Sequence, residues 1–479
     1  MEEEKKTKFV FIGAGWVGSL TSAVLASHWP ENEFHVFDIS TSIIDRWNSG
    51  QVPIYEPGLE ELVKKSIGKN LFFTANKDIA FKNATVFFIC VNTPTKVKGK
   101  GKGEVHDLKF VEACTSAVAD YFANVEMKDT IAIVEKSTVG PRTSCFLKSL
   151  FSERQVKYKE NKNKFCVMSN PEFLAEGVAI RDLEHPDRII IGSDADVRSK
   201  LMLDKIVTLY SRFVPREKII TTSTFTAELS KLASNAFLAQ RVSSINSLSP
   251  ICEKLGIDVS NLSTCIGSDS RIGNKYLSAS IGFGGSCLEK DLLALVYLAR
   301  SLGFEEVADY WKAVYNINAY QKRRISDMIV QEMLNSLSFK KLTLLGVAFK
   351  KNTSDCRGSA ALTVARDLLE ESAHLQIYDP KATKDHFLRE MQAYFPEEPL
   401  TEEMTKHIEF MSSPLLAAKD SSALIILTEW DEFRSLDYAS LFEQMSKPAF
   451  VFDCRGVTDQ EQLKTIGFKV YKLGVCLPQ

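Results

Sequence analysis

No two of the ten cysteines in this 479-residue chain stand in a C-x-x-C pair, and their spacing fits no disulfide scaffold. Reduced thiols in a cytoplasmic protein are the expected state. The seven histidines show no metal-ligand spacing, so no metal is expected. No apolar run reaches the length that crosses a bilayer, and Met1-Glu2-Glu3-Glu4-Lys5-Lys6 lacks the basic-then-apolar order of a signal peptide, so no membrane partner is expected. A large charge of one sign is missing too. The formal net charge of −2 gives no support to nucleic-acid or anionic-membrane binding, and any anionic ligand must be held by locally placed cations. Short-period repeats and low-complexity tracts are absent, although residues 96–102 are a Gly/Lys-rich loop. Cys476-Leu477-Pro478-Gln479 fits the bare C-a-a-X prenylation pattern, but proline is a poor aliphatic residue there.

What is present is a globular composition, 45% hydrophobic and 25% charged, long enough for roughly three domains. The fold class expected is α/β, with two doubly wound Rossmann-like domains joined by a long central helix and a helical middle domain. Residues 9–12, a glycine-rich turn, a helix to about His28 and residues 34–38 form a βαβ unit. Apolar strands at 85–91, 130–135, 165–168 and 188–191 extend a parallel sheet that ends near residue 220. From 224 to 255 the apolar stripe of Leu229, Leu232, Ala236, Phe237, Val242, Ile245 and Leu248 predicts one long helix. Helical pattern continues to about 332, and strands resume at 342–346, 374–379, 422–427 and 449–452. The expected segments are 1–221, a cofactor-binding Rossmann domain; 222–333, helical and self-associating; and 334–479, a second Rossmann-like domain.

Gly13-Ala14-Gly15-Trp16-Val17-Gly18 follows a strand and opens a helix, the arrangement that places a helix N-terminus against a pyrophosphate. Asp38 lies twenty residues beyond Gly18, at the end of the second strand. Its carboxylate accepts from a ribose 2′-OH and repels a 2′-phosphate, favouring NAD over NADP. Gly282-Phe283-Gly284-Gly285-Ser286-Cys287 then delivers a cysteine to a helix start, where Ser286 and Glu289 have capping-box spacing. Unpaired N–H groups and the helix dipole favour the thiolate of Cys287, glycines without Cβ let a bulky ligand approach, and Asp291 shares its helix face. Taken alone, a cysteine there reads first as an inert core residue. With a nicotinamide cofactor, an activated thiol suits oxidation of an alcohol beyond the aldehyde, through a thiohemiacetal and a thioester.

Glu228, Lys231 and Asn235 lie on one face of the long helix, where lysine and asparagine can donate to an oxyanion or simply form a solvated face. Glu172 follows a strand end and is either a general base on water or a surface carboxylate. Arg271, Lys350, Arg357 and Arg455 fall in loops and can pair with phosphate.

A longer set of ordered identities adds a resemblance. It comprises the glycine fingerprint, Pro53-Ile54-Tyr55-Glu56-Pro57-Gly58-Leu59, Val91-Asn92-Thr93-Pro94-Thr95, Glu135-Lys136-Ser137-Thr138, residues 170–177, Glu228-Leu229-Ser230-Lys231, residues 235–241, the Cys287 loop and Ala348-Phe349-Lys350-Lys351. Over residues 8–470 the chain resembles the UDP-glucose/GDP-mannose dehydrogenase family, in the animal-like form of its UDP-glucose 6-dehydrogenases. The resemblance implies four-electron oxidation of UDP-glucose to UDP-glucuronate with two NAD and one water. It implies Cys287 as nucleophile, Lys231 and Asp291 for the first proton transfer, Asn235 with Lys231 at the oxyanion, and Thr138 and Glu172 at the hydrolytic water.

By the same resemblance Val91, Asn92, Thr93, Pro94, Thr95, Ser137, Thr138, Val139, Glu176, Cys287, Lys290 and Arg357 line the NAD site with the fingerprint and Asp38. Substrate is expected at Glu172, Phe173, Leu174, Ala175, Glu176, Lys231, Asn235, Tyr276, Leu277, Ser278, Phe283, Gly284, Phe349, Lys350 and Arg455, with Arg271 reaching in from a neighbouring subunit. That last role implies self-association, as a dimer or an assembly of dimers such as a hexamer. Trp16, Ile43, Gly140, Ser278, Gly358 and Cys454 depart from the family pattern of tyrosine, a basic residue, proline, lysine, an acidic residue and glycine. The rival readings are a dehydrogenase of GDP-mannose or a UDP-N-acetylhexosamine, a two-electron hydroxyacid dehydrogenase, and a non-catalytic nucleotide-sugar-binding paralogue. Cys287 counts against the hydroxyacid enzyme, and retention of the five catalytic types counts against the paralogue.

Overall fold

Residues 6–475 are described by a computed structural model, so the Cys476 pattern lies outside the described residues. The chain divides into two compact units, residues 1–234 and 235–479.

The first unit carries eight strands: β1 (Lys8–Ile12), β2 (Glu33–Phe37), β3 (Leu71–Thr74), β4 (Val86–Ile89), β5 (Ile131–Glu135), β6 (Phe165–Ser169), β7 (Ile189–Gly192) and β8 (Ile219–Thr222). Their spatial order is β3-β2-β1-β4-β5-β6-β7-β8. Every pairing is parallel except the single antiparallel bridge Ser169↔Gly192 between β6 and β7. The order reverses between β1 and β4, and the crevice beyond their carboxyl ends is where such sheets take ligands. Gly13 and Val91 follow those two ends.

Because helices cover both faces, the central strands are apolar throughout and their residues alternate between two cores. Phe9, Phe11 and Phe88 enter one core, while Val10, Ile12, Phe87 and Ile89 enter the other. Phe11 stacks on Phe88 with centroids 4.7 Å apart. Truncating either ring costs about 3–5 kcal/mol.

The helix Thr224–Leu255 forms as its apolar stripe predicts, and the unit boundary falls within it. It contains Pro250, which removes a backbone donor, and Ser249 Oγ donates instead to the Asn246 carbonyl (2.9 Å). The helices Val259–Gly267, Leu288–Ser301 and Glu305–Glu332 follow.

The second unit's sheet comprises β9 (Lys341–Leu345), β10 (His374–Tyr378), β11 (Ile408–Phe410), β12 (Ala423–Ile426), β13 (Phe450–Asp453) and β14 (Lys469–Lys472). Its order, β11-β10-β9-β12-β13-β14, has the same reversal beside its first strand. All its pairings are parallel. Four short strands, β3, β8, β11 and β14, are not legible in the sequence.

Candidate active site

In the first unit the glycines of the fingerprint have separate tasks. Gly13 takes φ +113°, and a Cβ there would sit 2.7 Å from the Cys90 carbonyl oxygen. A Cβ on Gly18 would meet the Gly13 carbonyl oxygen at 2.1 Å, so close packing of helix on turn requires that glycine. At Gly15 nothing lies within 4 Å. The helix Trp16–His28 begins there with no side-chain cap, leaving backbone N–H groups for an anion. Asp38 accepts from the Ala14 amide (2.8 Å) and the Ser40 amide (2.9 Å). A carboxylate offers about four lone-pair directions, so ribose hydroxyls find acceptor capacity left. These residues fit a dinucleotide.

Around this turn, Ser137 Oγ donates to the Val91 carbonyl (2.6 Å), tying residues 137–139 to the end of β4. Thr93 is buried, Asn92 and Pro94 are exposed, and Val139 packs into the apolar core. Ile43 packs against the opposite core from the helix Thr41–Asn48, so no charge stands where the family pattern has a basic residue.

Lys231 is 3% exposed, which rules out the solvated-face reading for it. Its Nζ lies 3.3 Å from Glu172 Oε1 and 5.3 Å from the Phe173 ring centroid. Glu172 Oε2 accepts from the Leu174 amide (2.7 Å), so this carboxylate shapes its own loop and is not a free surface group. Arg188 lies over the other reach of Phe173, 3.9 Å from the centroid.

Two supporting residues carried no motif signal of their own chemistry. Glu56 is buried and accepts from the Gly177 amide (2.9 Å), the Ala179 amide (2.8 Å) and Trp16 Nε1 (3.2 Å). It therefore ties the 172–178 segment to the cofactor turn, and Trp16 makes one of the ties. Buried Lys136 reaches Asn170 Oδ1 (3.3 Å) and Tyr210 Oη (3.5 Å), holding the same segment from behind. A buried cation inside an apolar strand end was the available clue.

In the second unit Cys287 is exposed and is the N-cap residue of the helix Leu288–Ser301, with no side chain capping it. The expected capping box is therefore not formed. Glu289 instead pairs with the buried Lys322 (3.8 Å), whose ammonium also donates to the Gly358 carbonyl (3.4 Å). Burial pushes the Cys90, Cys114 and Cys166 thiols up to about 12, and raises Cys356 and Cys454 as well. Those five stay protonated at neutral pH.

The glycines before Cys287 also act differently from expectation, because protein already fills the space they leave. A Cβ on Gly282 would meet Asn318 Oδ1 at 2.6 Å, one on Gly284 the Gly358 carbonyl oxygen at 2.5 Å, and one on Gly285 the Phe349 ring at 2.9 Å. Asn318 clamps Phe283 through both its backbone N–H (2.9 Å) and its carbonyl (3.0 Å), and the Phe283 ring is buried. The Gly285 amide donates to the Arg357 carbonyl (2.9 Å). Gly358 has φ +58°, so this loop contact accounts for the glycine at that position.

Asp291 is fully buried and accepts from Asn235 Nδ2 (2.6 Å), with Lys290 Nζ 3.9 Å away. Its amide bonds the Cys287 carbonyl (2.9 Å), confirming their shared helix face. Arg357 forks onto Asp355 (2.6 and 2.9 Å). Arg455 donates to the carbonyls of Leu427 (2.8 Å) and Phe349 (3.2 Å), and Lys350 stands over the Phe349 ring. Tyr276 and Ser278 are exposed, Leu277 is buried, and Arg271 is exposed and, among the described residues, pairs with nearby Asp269.

Three family models cover the chain: the NAD binding domain of the UDP-glucose/GDP-mannose dehydrogenase family over residues 7–214, its central domain over 225–320, and its UDP binding domain over 343–460. The chain belongs to the UDP-glucose/GDP-mannose dehydrogenase family. It is 45% identical over 471 residues to a UDP-glucose 6-dehydrogenase of Caenorhabditis elegans, spanning 98% of this chain and 95% of that one. UDP-glucose 6-dehydrogenase 3 of Arabidopsis thaliana is also 45% identical, over 98% of each chain. Among solved structures, a UDP-glucose dehydrogenase from the archaeon Pyrobaculum islandicum matches with a TM-score of 0.83 at 30% identity, over 99% of both chains. This family's fold thus accounts for both doubly wound sheets.

Proposed function

We propose that this member of the family oxidises UDP-glucose to UDP-glucuronate in an NAD-dependent, four-electron reaction with Cys287 as acyl carrier. The observation that carries the reading is whole-length identity to UDP-glucose 6-dehydrogenases in a chain that keeps an exposed cysteine at an uncapped helix start. The Gly13–Gly18 turn and Asp38 would hold NAD, which would supply the hydride acceptor for each of two oxidations. Lys231 and Asp291 manage the alcohol proton of the first. Cys287 Sγ adds to the aldehyde carbon, and Lys231 with Asn235 steadies the resulting oxyanion. After the second oxidation that carbon is a thioester, and Glu172 with Thr138 directs water at it, releasing the carboxylate and the thiol. The buried Lys231–Glu172 pair supports this division, because each group holds the other's charge in place.

Residues 1–221 would hold NAD, 334–479 the uridine diphosphate through Phe349, Lys350 and Arg455, and 222–333 the self-association. Exposed Phe237, Val307 and Tyr310 on the central helices, with Phe304 just before the last of them, support an oligomer, with Arg271 completing a neighbour's site. No disulfide joins the nine described cysteines, which suits the cytoplasm. The test is stoichiometry. Purified protein with UDP-glucose reduces two NAD per sugar, and one NAD per sugar overturns the reading. Cys287→Ser abolishes steady-state acid formation, and wild-type turnover by that variant overturns the thioester.

A further inference from the structure

Glu135 ends β5 at the base of the loop that carries Ser137 and Thr138, and it is fully buried. No described donor reaches either of its carboxyl oxygens. Opposite it stands Glu228, itself 1% exposed, whose two oxygens accept from the amides of Arg142 (2.7 Å) and Ser144 (2.9 Å). Those amides open the helix Thr143–Arg154, so Glu228 caps the far end of the loop that Glu135 begins. The two carboxyl groups are within hydrogen-bonding reach of each other. Two bare carboxylates in contact inside a protein repel, and the buried oxygens of Glu135 would stay unsatisfied. One proton between them removes both problems, since Glu228 keeps acceptor capacity beyond its two amides.

We infer that Glu135 is a carboxylic acid whose O–H donates to Glu228, and that this shared proton positions residues 136–142 for the cofactor. Burial first, then the neighbouring Glu228, hold the Glu135 carboxyl well above the ordinary carboxylate range. The other groups facing it are Cys145 and Lys148 from the helix Thr143–Arg154, and Lys148 is already engaged by Asp194. From the neighbouring strands its register partners are Ile89 and Ser169, neither of them titratable. Glu135 is therefore a positioning residue, and its role rests on the reading that residues 137–139 face NAD.

A raised folded-state value means stability is complete below the unfolded-state value of 4.5 and falls as pH rises toward the folded-state one. Glu135→Gln replaces the acid by an amide N–H that donates to Glu228 at every pH. From pH 6 to 9, the unfolding constant of the wild type should rise relative to that of Glu135→Gln by up to tenfold per pH unit. The KM for NAD should rise in the wild type only, and only where the pH passes the folded-state value, at which folded Glu135 loses its proton and the stability curve levels off. An infrared spectrum with isotope-labelled glutamate should show a protonated carboxyl band at pH 7 that Glu135→Gln lacks. Parallel stability curves, or no such band in the wild type, overturn the shared proton, and the wild-type band decides the matter if the variant does not fold. A stability difference that levels off at high pH with no rise in the KM for NAD there overturns the positioning role alone, and one NAD reduced per sugar overturns the catalytic reading independently.

Discussion

Replacing Gly15 by alanine should separate ligand binding from folding. Its backbone is extended, with φ −81° and ψ −168°, and a methyl group placed there meets nothing within 4 Å. Alanine is a poorer N-cap than glycine, by a fraction of about 1 kcal/mol. It also reduces the freedom of the unfolded chain, which returns about 0.4–1 kcal/mol. Net stability should therefore stay within about 0.5 kcal/mol of wild type. The same methyl occupies the space a pyrophosphate needs to reach the uncapped amides of the Trp16–His28 helix. Loss of even one charge-assisted hydrogen bond costs about 1.5–3 kcal/mol, or roughly tenfold to a hundredfold in NAD affinity. Gly285→Ala is the counter-case. Its φ of +85° costs alanine about 1–2 kcal/mol, and displacing the Phe349 ring from 2.9 Å adds about 1–3 kcal/mol. Urea unfolding and fluorescence titration of NAD on both variants provide the assay. A Gly15→Ala protein that binds NAD as the wild type does, or that is as unstable as Gly285→Ala, refutes the reasoning.

Glu56→Gln should lower stability by about 1–3 kcal/mol and raise the KM for both substrates, because one amide oxygen cannot serve three donors; Trp16→Phe, which removes only the 3.2 Å contact, should cost about 0.5–1.5 kcal/mol. Steady-state kinetics beside urea unfolding checks the pair, and equal effects would remove Glu56 from its coupling role. Asp379→Asn should destabilise by about 3 kcal/mol or more, since Asp379 accepts from the amides of Val347, Ala348, Lys381 and Ala382 and from Trp430 Nε1. Asp38→Asn, with two amide donors, should cost less stability and chiefly weaken NAD binding, and the reverse order in unfolding experiments would contradict this.

What the sequence makes legible follows from the length over which a pattern repeats. Thirty-two residues of helical periodicity define Thr224–Leu255 despite Pro250, because Ser249 repairs the one bond the proline removes. The strands β1, β2, β4, β5 and β6 announce themselves as apolar runs because both their faces are buried. Ile408–Phe410 and Lys469–Lys472 are short edge strands with polar residues, and nothing local distinguishes them from loop. At the candidate site, residue types were legible and their partners were not. The Ser286–Glu289 spacing pointed to a capping box, yet a buried ammonium 33 residues downstream, on Lys322, holds the Glu289 carboxylate. The glycines before Cys287 looked like room for a ligand. They are room for Asn318, Gly358 and Phe349, contacts with no trace in the neighbouring sequence.

The hardest feature to read was also the most repeated. Asp38 holds the amides of Ala14 and Ser40, Glu56 those of Gly177 and Ala179, Glu228 those of Arg142 and Ser144, Asp379 those of Val347 and Ala348, and Asp453 those of Arg455 and Gly456. Each carboxylate fixes a loop that carries a candidate cofactor or substrate residue, or borders one. A loop that must present its side chains to a ligand cannot also bury them, so it lacks the apolar contacts that order a strand or helix. Its backbone donors still need acceptors, and a single carboxylate serves two or more of them at short distance. Asp38 apart, such a carboxylate reads in sequence as one more acidic residue. Its burial and its separation from the loop it holds, 121 residues between Glu56 and Gly177, become visible only in the fold. Conversion of these acids to their amides should therefore disturb ligand-facing loops more than the cores beneath them.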